Sequence, residues 1–268
     1  CPRLEELPSA RRQIIVEVRR PEHIAKEPFK GRVTIGNPQG IQFEKTTVPD
    51  TLAAGQTQAL ARFKCTLRPS VLFAFSCRLV DADGGNVISM PAKRYSLVES
   101  FADGKPGEVD LKYAVKLDGD PKVPADAKLT YCKAPGGAPA EVCAKLDYSF
   151  GNGWKFVRVT HGIPVPIVEQ PSRARIWVKG DGGNGAGRLR VIDSGDQTFQ
   201  PDFGTLNFSD WRCLEADMTG KVAGHWGGKN DGRMAYPIRW DTVFLLDNVG
   251  GAEAKGAVFV GPMMLYYD

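Results

Sequence analysis

The sequence predicts an all-β protein of two sandwich domains, and three observations predict it. Helical periodicity is almost absent along the 268 residues. Short runs rich in β-branched and aromatic residues recur about every ten residues, separated by Gly, Pro, Asn and Asp, the spacing of sandwiches rather than of α/β units. Near residue 100 the composition changes to that of a linker, Ser100-Phe101-Ala102-Asp103-Gly104-Lys105-Pro106-Gly107-Glu108-Val109. The expected division is therefore 1–99 and 100–268, and a length of 268 residues suits two domains.

In the first part the runs are Gln13–Arg19, Gly31–Ile35, Ile41–Thr46, Ala59–Leu67, Val71–Val80, Val87–Ser89 and Arg94–Val98. Asn37-Pro38-Gln39-Gly40 and Asp81-Ala82-Asp83-Gly84-Gly85-Asn86 supply turn chemistry between them. Seven short strands in about 90 residues is the size of an immunoglobulin-like sandwich. The phrase Val48-Pro49-Asp50-Thr51-Leu52-Ala53-Ala54-Gly55, followed by Ala59–Leu67, resembles the immunoglobulin-like spacer domains of secreted bacterial enzymes. The second part is again β-rich, with longer and more Gly-rich loops, and no internal repeat relates the halves.

Bulk composition narrows the function. Charged residues make up 25% and hydrophobic residues 42%, ordinary for a globular protein, and the net charge is +4. That excess is dispersed. Arg11-Arg12, Arg19-Arg20 and Arg188/Arg190 lie in or beside strand-like runs and read as solvated strand faces, so nucleic acid is not an expected partner. No stretch approaches the roughly 18–20 apolar residues of a membrane span, and no signal peptide is present. The abrupt start at Cys1-Pro2 suits a processed or trimmed product, with a lipid-modified Cys and a domain boundary both open. Cys65/Cys77 and Cys132/Cys143 each flank a turn-like segment; if each flank is a hairpin the pairs could oxidise, and buried free thiols are the alternative.

Enzyme signatures are missing. Gly180-Asp181-Gly182-Gly183-Asn184-Gly185 has the GxGxxG pattern, but it runs into the β-like Arg188–Ile192 where a dinucleotide site needs a helix. There is no P-loop, GxSxG or HExxH. Asp193, Asp217, Asp231, Asp241 and Asp247 are available as paired carboxylates, yet most border turn residues, where Asp serves local hydrogen bonding.

Ala174-Arg175-Ile176-Trp177-Val178-Lys179-Gly180-Asp181-Gly182-Gly183, then Arg188-Leu189-Arg190-Val191-Ile192-Asp193-Ser194, then Phe208-Ser209-Asp210-Trp211-Arg212 come in this order. Together with the upstream Asp147–Trp154 segment, this resembles family 11 carbohydrate-binding modules and related galactose-binding-like jelly rolls over residues 100–268. The resemblance implies a C-terminal β-jelly roll and, as function, non-catalytic binding of a polysaccharide or oligosaccharide. It implies an accessory region of a larger secreted glycoside hydrolase or surface protein, with a catalytic domain upstream as a partner and a secreted, periplasmic or cell-surface location. The family usually shows one or two Asp, which often help hold a structural calcium, where this chain has Gly261-Pro262. A structural calcium therefore stays open but is disfavoured, with Asp103 and Asp268 as the substitutes to consider, and no other cofactor is implied.

Sugar sites pair aromatic faces with polar side chains. The expected ligand-binding residues are therefore His225, Trp226, Lys229, Asn230, Asp231, Arg233 and Tyr236 in a Gly-flanked loop, with Trp154, Trp177, Arg190 and Asp193. For Trp154, Trp211 and Trp240 core packing is the favoured place. On the strand Arg173–Lys179 the alternation puts Arg173, Arg175, Trp177 and Lys179 on one face and Ala174, Ile176 and Val178 in the core. Two other readings stay open: a structural scaffold, and a free-standing β-sandwich lyase or hydrolase recruiting His161, His225 and Tyr236.

Overall fold

The structure is a computed structural model and describes residues 3–6, 12–67, 72–101, 104–108, 113–161, 166–219 and 222–267. It is all-β; a 3₁₀ turn at Glu22–Ile24 is the sole helical element among the described residues. The chain divides into two compact units, residues 1–99 and 100–267.

The first unit holds β1 (Arg3–Glu6), β2 (Arg12–Arg19), β3 (Phe29–Gln39), β4 (Ile41–Phe43), β5 (Thr47–Leu52), β6 (Gln58–Leu67), β7 (Leu72–Asp81) and β8 (Asn86–Glu99). They form one sheet in the order β1-β2-β6-β4 and a second in the order β5-β3-β7-β8. The sheets meet through aromatic rings: Phe43 of the first lies edge-on to Phe75 of the second at 5.7 Å, and Phe75 packs on Tyr95 at 5.4 Å. Ile14, Phe63, Phe73 and Leu97 complete the buried core. The hairpin expected between Cys65 and Cys77 is not formed. β6 pairs with β2 and β4, β7 with β3 and β8, so the two buried thiols belong to different sheets. The turn Arg68-Pro69-Ser70 lies outside the described residues.

The second unit holds β9 (Tyr113–Gly119), β10 (Ala125–Lys133), β11 (Val142–Phe150), β12 (Lys155–His161), β13 (Pro166–Ile167), β14 (Arg173–Lys179), β15 (Ala186–Ile192), β16 (Gln197–Gln200), β17 (Asp202–Thr205), β18 (Trp211–Asp217), β19 (Gly224–Gly227), β20 (Ile238–Asp247) and β21 (Ala254–Tyr267). Five of them make an antiparallel sheet in the order β10-β11-β21-β14-β18. Six make the other, β9-β12-β20-β15-β16-β19, with β13 paired to β20 and β17 to β15. The chain passes repeatedly from one sheet to the other, a jelly-roll sandwich. Inward residues alternate with outward ones: Ile176 and Val178 on β14, Leu189 and Val191 on β15 and Phe199 on β16 are buried, while Trp177, Arg190 and Gln200 face out. Cys132 and Cys143 stand opposite each other on β10 and β11, with Sγ atoms 3.5 Å apart.

Two irregularities in β20 shape the outward face of the six-stranded sheet. Against β15, Arg188 pairs with Leu245, Arg190 with Thr242 and Val191 with Trp240, so β20 carries an extra residue on either side of Thr242. Such bulges re-aim side chains and sharpen local twist.

Candidate functional site

The outward face of the six-stranded sheet carries a groove of about 330 Å³ lined by Trp154, Phe156, Arg190, Gln200, Trp226, Leu245 and Asp247. Period-two alternation sets up its floor: Phe156 and Arg158 point outward from β12, Arg188 and Arg190 from β15, Thr198 and Gln200 from β16. Trp226 stands opposite Thr198 on the same face.

Arg190 is the centre. Its guanidinium lies 4.9 Å from the centroid of the Trp226 ring and 5.6 Å from that of Phe156, with Trp154 a further 5.6 Å beyond Phe156. Its Nε and Nη2 both donate to Gln200 Oε1, at 3.3 and 2.9 Å. Burial, then the nearby Arg158 charge, lowers its pKa. The two neighbouring arginines are paired with carboxylates, although Arg188 Nε makes no hydrogen bond. Arg158 meets Asp118 at 2.6 Å and Asp241 at 2.8 Å, and Arg188 meets Asp247 and, at 3.8 Å, Asp202. Arg190 has no carboxylate within salt-bridge distance among the described residues, and Asp247 Oδ1 is buried without a hydrogen-bond partner. The groove thus sets Arg190, held by Gln200 and two rings, beside a carboxylate already paired with Arg188.

The rims are aromatic and open. Trp154 is 61% exposed and Trp226 42%. Core packing was the expectation for Trp154; the turn that precedes β12 turns it outward instead. Trp240 is buried as expected. The Gly-flanked segment around Trp226, expected as a loop, is instead an edge strand: Gly224–Gly227 pairs with Gln200–Gln197. The glycines act at its exit, where Gly227 and Gly228 take positive φ and a Cβ on Gly228 would come within 2.4 Å of Gly195 O.

Of the residues expected to bind, the structure brings Trp154, Arg190 and Trp226 together and separates the rest. His225 faces the other side of β19, against Phe199 at 6.0 Å, and its Nδ1 lies 2.8 Å from Asn230 Oδ1. Lys229, Asn230, Asp231 and Arg233 form an exposed turn, with Asp231 Oδ1 accepting from Arg233 N. Tyr236 Oη donates to Met234 Sδ, and burial, then the Tyr267 charge, pushes its phenol up. Asp193 is 3% exposed and spends both oxygens on backbone N–H groups, so it is turn architecture. Trp177 lies on the opposite sheet. The side chain of His161 lies outside the described residues. Asp241 and Asp247, read as turn or surface residues, lie in β20; Asp247 lines the groove and Asp241 pairs with Arg158. Phe156, Gln200 and Leu245 were not anticipated; the alternation of β12 and β16 was the signal that could have found the first two.

The Gly180–Gly185 loop joins β14 to β15, with no helix after it. Tyr148 Oη donates to Asp181 Oδ2 at 2.8 Å, which anchors the loop. Among the described residues no three His, Cys, Asp or Glu side chains gather as metal ligands, and no helix is long and apolar enough to cross a membrane.

No family model and no curated protein matches the chain. Among solved structures it is similar to one described as the structural basis for the promiscuous specificity of carbohydrate-binding modules of the β-sandwich superfamily, at 7% identity and TM-score 0.41, covering 100% of this chain and 97% of that one. It is also similar to the family 11 carbohydrate-binding module from Clostridium thermocellum in complex with a β-1,3-1,4-mixed-linked tetrasaccharide, at 13% identity and TM-score 0.45, over 64% of this chain and 94% of that one. A family 11 module of a cellulosomal cellulase of the same organism matches at 10% identity and TM-score 0.42, over 62% and 92%. Likeness at these values carries no argument about family or ligand; the chemistry of the groove has to.

Proposed function

We propose that the groove on the six-stranded sheet binds a polysaccharide or oligosaccharide. The observation that carries this is the exposure of Trp154 and Trp226 at the rims of a groove whose floor offers Arg190, Gln200 and Asp247. Large apolar rings left in water are costly unless they make contact. An indole face matches the C–H face of a pyranose, offering wide area for few rotatable bonds. The guanidinium of Arg190 and the amide of Gln200 line the groove with hydrogen-bonding groups of the kind sugar hydroxyls need. Binding of this kind needs no cofactor and no bond cleavage, so the chain acts as a non-catalytic module. On this reading the chain works in a secreted, periplasmic or cell-surface protein, beside a glycoside hydrolase domain.

The test is affinity electrophoresis and isothermal titration calorimetry against soluble mixed-linkage β-glucan, xylan, galactomannan and a wider glycan panel. Retention by at least one glycan, lost in Trp226→Ala, is the expected result. A panel with no retention at millimolar sugar overturns the reading.

A further inference from the structure

β19 is the least supported part of the groove. It has four residues, pairs only with β16, and is an edge. Short edge pairs fray readily, yet the Trp226 ring has to stay against Arg190 for the groove to keep its shape.

The support comes from the turn between β15 and β16. Asp193 Oδ1 accepts from Gly195 N and Gln197 N, both at 2.8 Å, which closes the turn. Its Oδ2 accepts from Ala235 N at 3.1 Å, across 42 residues of sequence. Ser194 N and Oγ both donate to Ala235 O, at 3.0 and 3.2 Å. Gln197, 2% exposed, accepts from Asp231 N at 2.8 Å through Oε1, and its Nε2 is buried without a partner. A buried amide that leaves its own donor unpaired is costly, so its place depends on what its oxygen holds. Gln197 is also the β16 residue opposite Gly227. The segment that leaves β19 is therefore tied at Asp231 and again at Ala235 to one buried carboxylate and one buried amide.

We infer that Asp193 and Gln197 are positioning residues for Trp226: they hold the segment 228–235 against the 193–197 turn and so fix β19 and its indole before any ligand arrives. Preorganisation of this kind lowers the ordering cost of binding. For ligand binding the inference rests on the proposed glycan site; for the geometry of Trp226 it stands without it.

Asp193→Asn is the test, because it keeps shape and one acceptor oxygen while turning an N–H donor towards a backbone N–H. Gln197→Met, which fills the same space, is the second variant. Hydrogen exchange on the whole chain is expected to quicken about tenfold or more in peptides spanning 224–227 and 231–235, with β12 and β20 unchanged. Unchanged exchange there overturns the inference, whatever the glycans do. With a glycan that binds, Asp193→Asn and Trp226→Ala are expected to be non-additive, the pair weakening binding no more than Trp226→Ala alone; equal weakening in both backgrounds marks a general loss of folding and overturns it. Quickened exchange with no glycan bound supports the positioning role and sinks the glycan reading.

Discussion

The two outward faces of the second unit use the same residue types to opposite ends. The five-stranded sheet carries Arg173, Arg175, Trp177 and Lys179 on β14 and Trp211, Cys213 and Glu215 on β18. There every strong group is answered from within the chain. Glu215 takes Arg173 at 2.8 Å and Arg175 at 2.6 Å, Arg175 lies over the Tyr266 ring at 4.4 Å, and Lys179 donates to Ser209 O. The 134–141 segment lies against the tryptophans: Trp211 Nε1 donates to Pro135 O, and a Cβ on Gly261 would touch Trp177, Pro139 and Trp211 at once. On the six-stranded sheet Arg190 has Gln200 and two rings but no carboxylate partner among the described residues, and Trp154 and Trp226 stand open. What would set the proposed ligand surface apart from a finished one is open aromatic area around a cation with no carboxylate partner.

Substituting one tryptophan on each face breaks the comparison most sharply. Trp226→Ala is expected to weaken glycan binding by about 30-fold, the size of an interface hot spot, with little change in thermal midpoint. Trp154→Ala, at the more open rim, is expected to cost about tenfold. Trp177→Ala is expected to leave binding untouched and to lower stability by about 2 kcal/mol through lost packing. Calorimetry and denaturant unfolding on the same three proteins read both quantities. Equal loss of binding in Trp177→Ala would erase the distinction between the faces.

Arg190→Lys sharpens the comparison at the floor. Lysine keeps the charge but loses the planar fork, the twofold bond to Gln200 and the fit between two rings. A fall in affinity of about tenfold is expected. An unchanged affinity would mean that charge alone acts there and that the planar fork does not.

Much of this architecture could be read from residues. The alternation in Arg173–Lys179 placed Trp177 on an outward face, and the Gly-rich Gly180–Gly185 loop ran into a strand as its neighbours indicated. The pairing is irregular in β20, where an extra residue sits on either side of Thr242; Asp241, Leu245 and Asp247 still share one parity, and only the partner strands show which face that is. Trp154 eluded the sequence because exposure of a turn residue depends on what packs over it, and here Gly153 N donates to Gly251 O, bringing in a segment about a hundred residues away. β19 eluded it because glycines flanking His225-Trp226 look alike in a loop and in a short edge strand; only the partner β16 distinguishes them. Asp193 was legible as a turn residue and as a site residue alike, and its burial decides for the turn.

The smallest expected effect tests whether the five-stranded face is as finished as its contacts indicate. Tyr266 is buried there, and burial, then the Cys213 charge, raises its phenol from 10.0 to about 12 against the opposing pull of Arg175. A neutral phenol favoured by the fold stabilises fully below pH 10, the unfolded value; that contribution declines as pH rises past 10 and is gone above about 12. The expected loss is about 1 kcal/mol at pH 11. Tyr266→Phe, which cannot ionise, is expected to flatten the fall in denaturant midpoint between pH 10 and 12. The same fall in both proteins would show that water reaches this face and that the ring under Arg175 is not sealed.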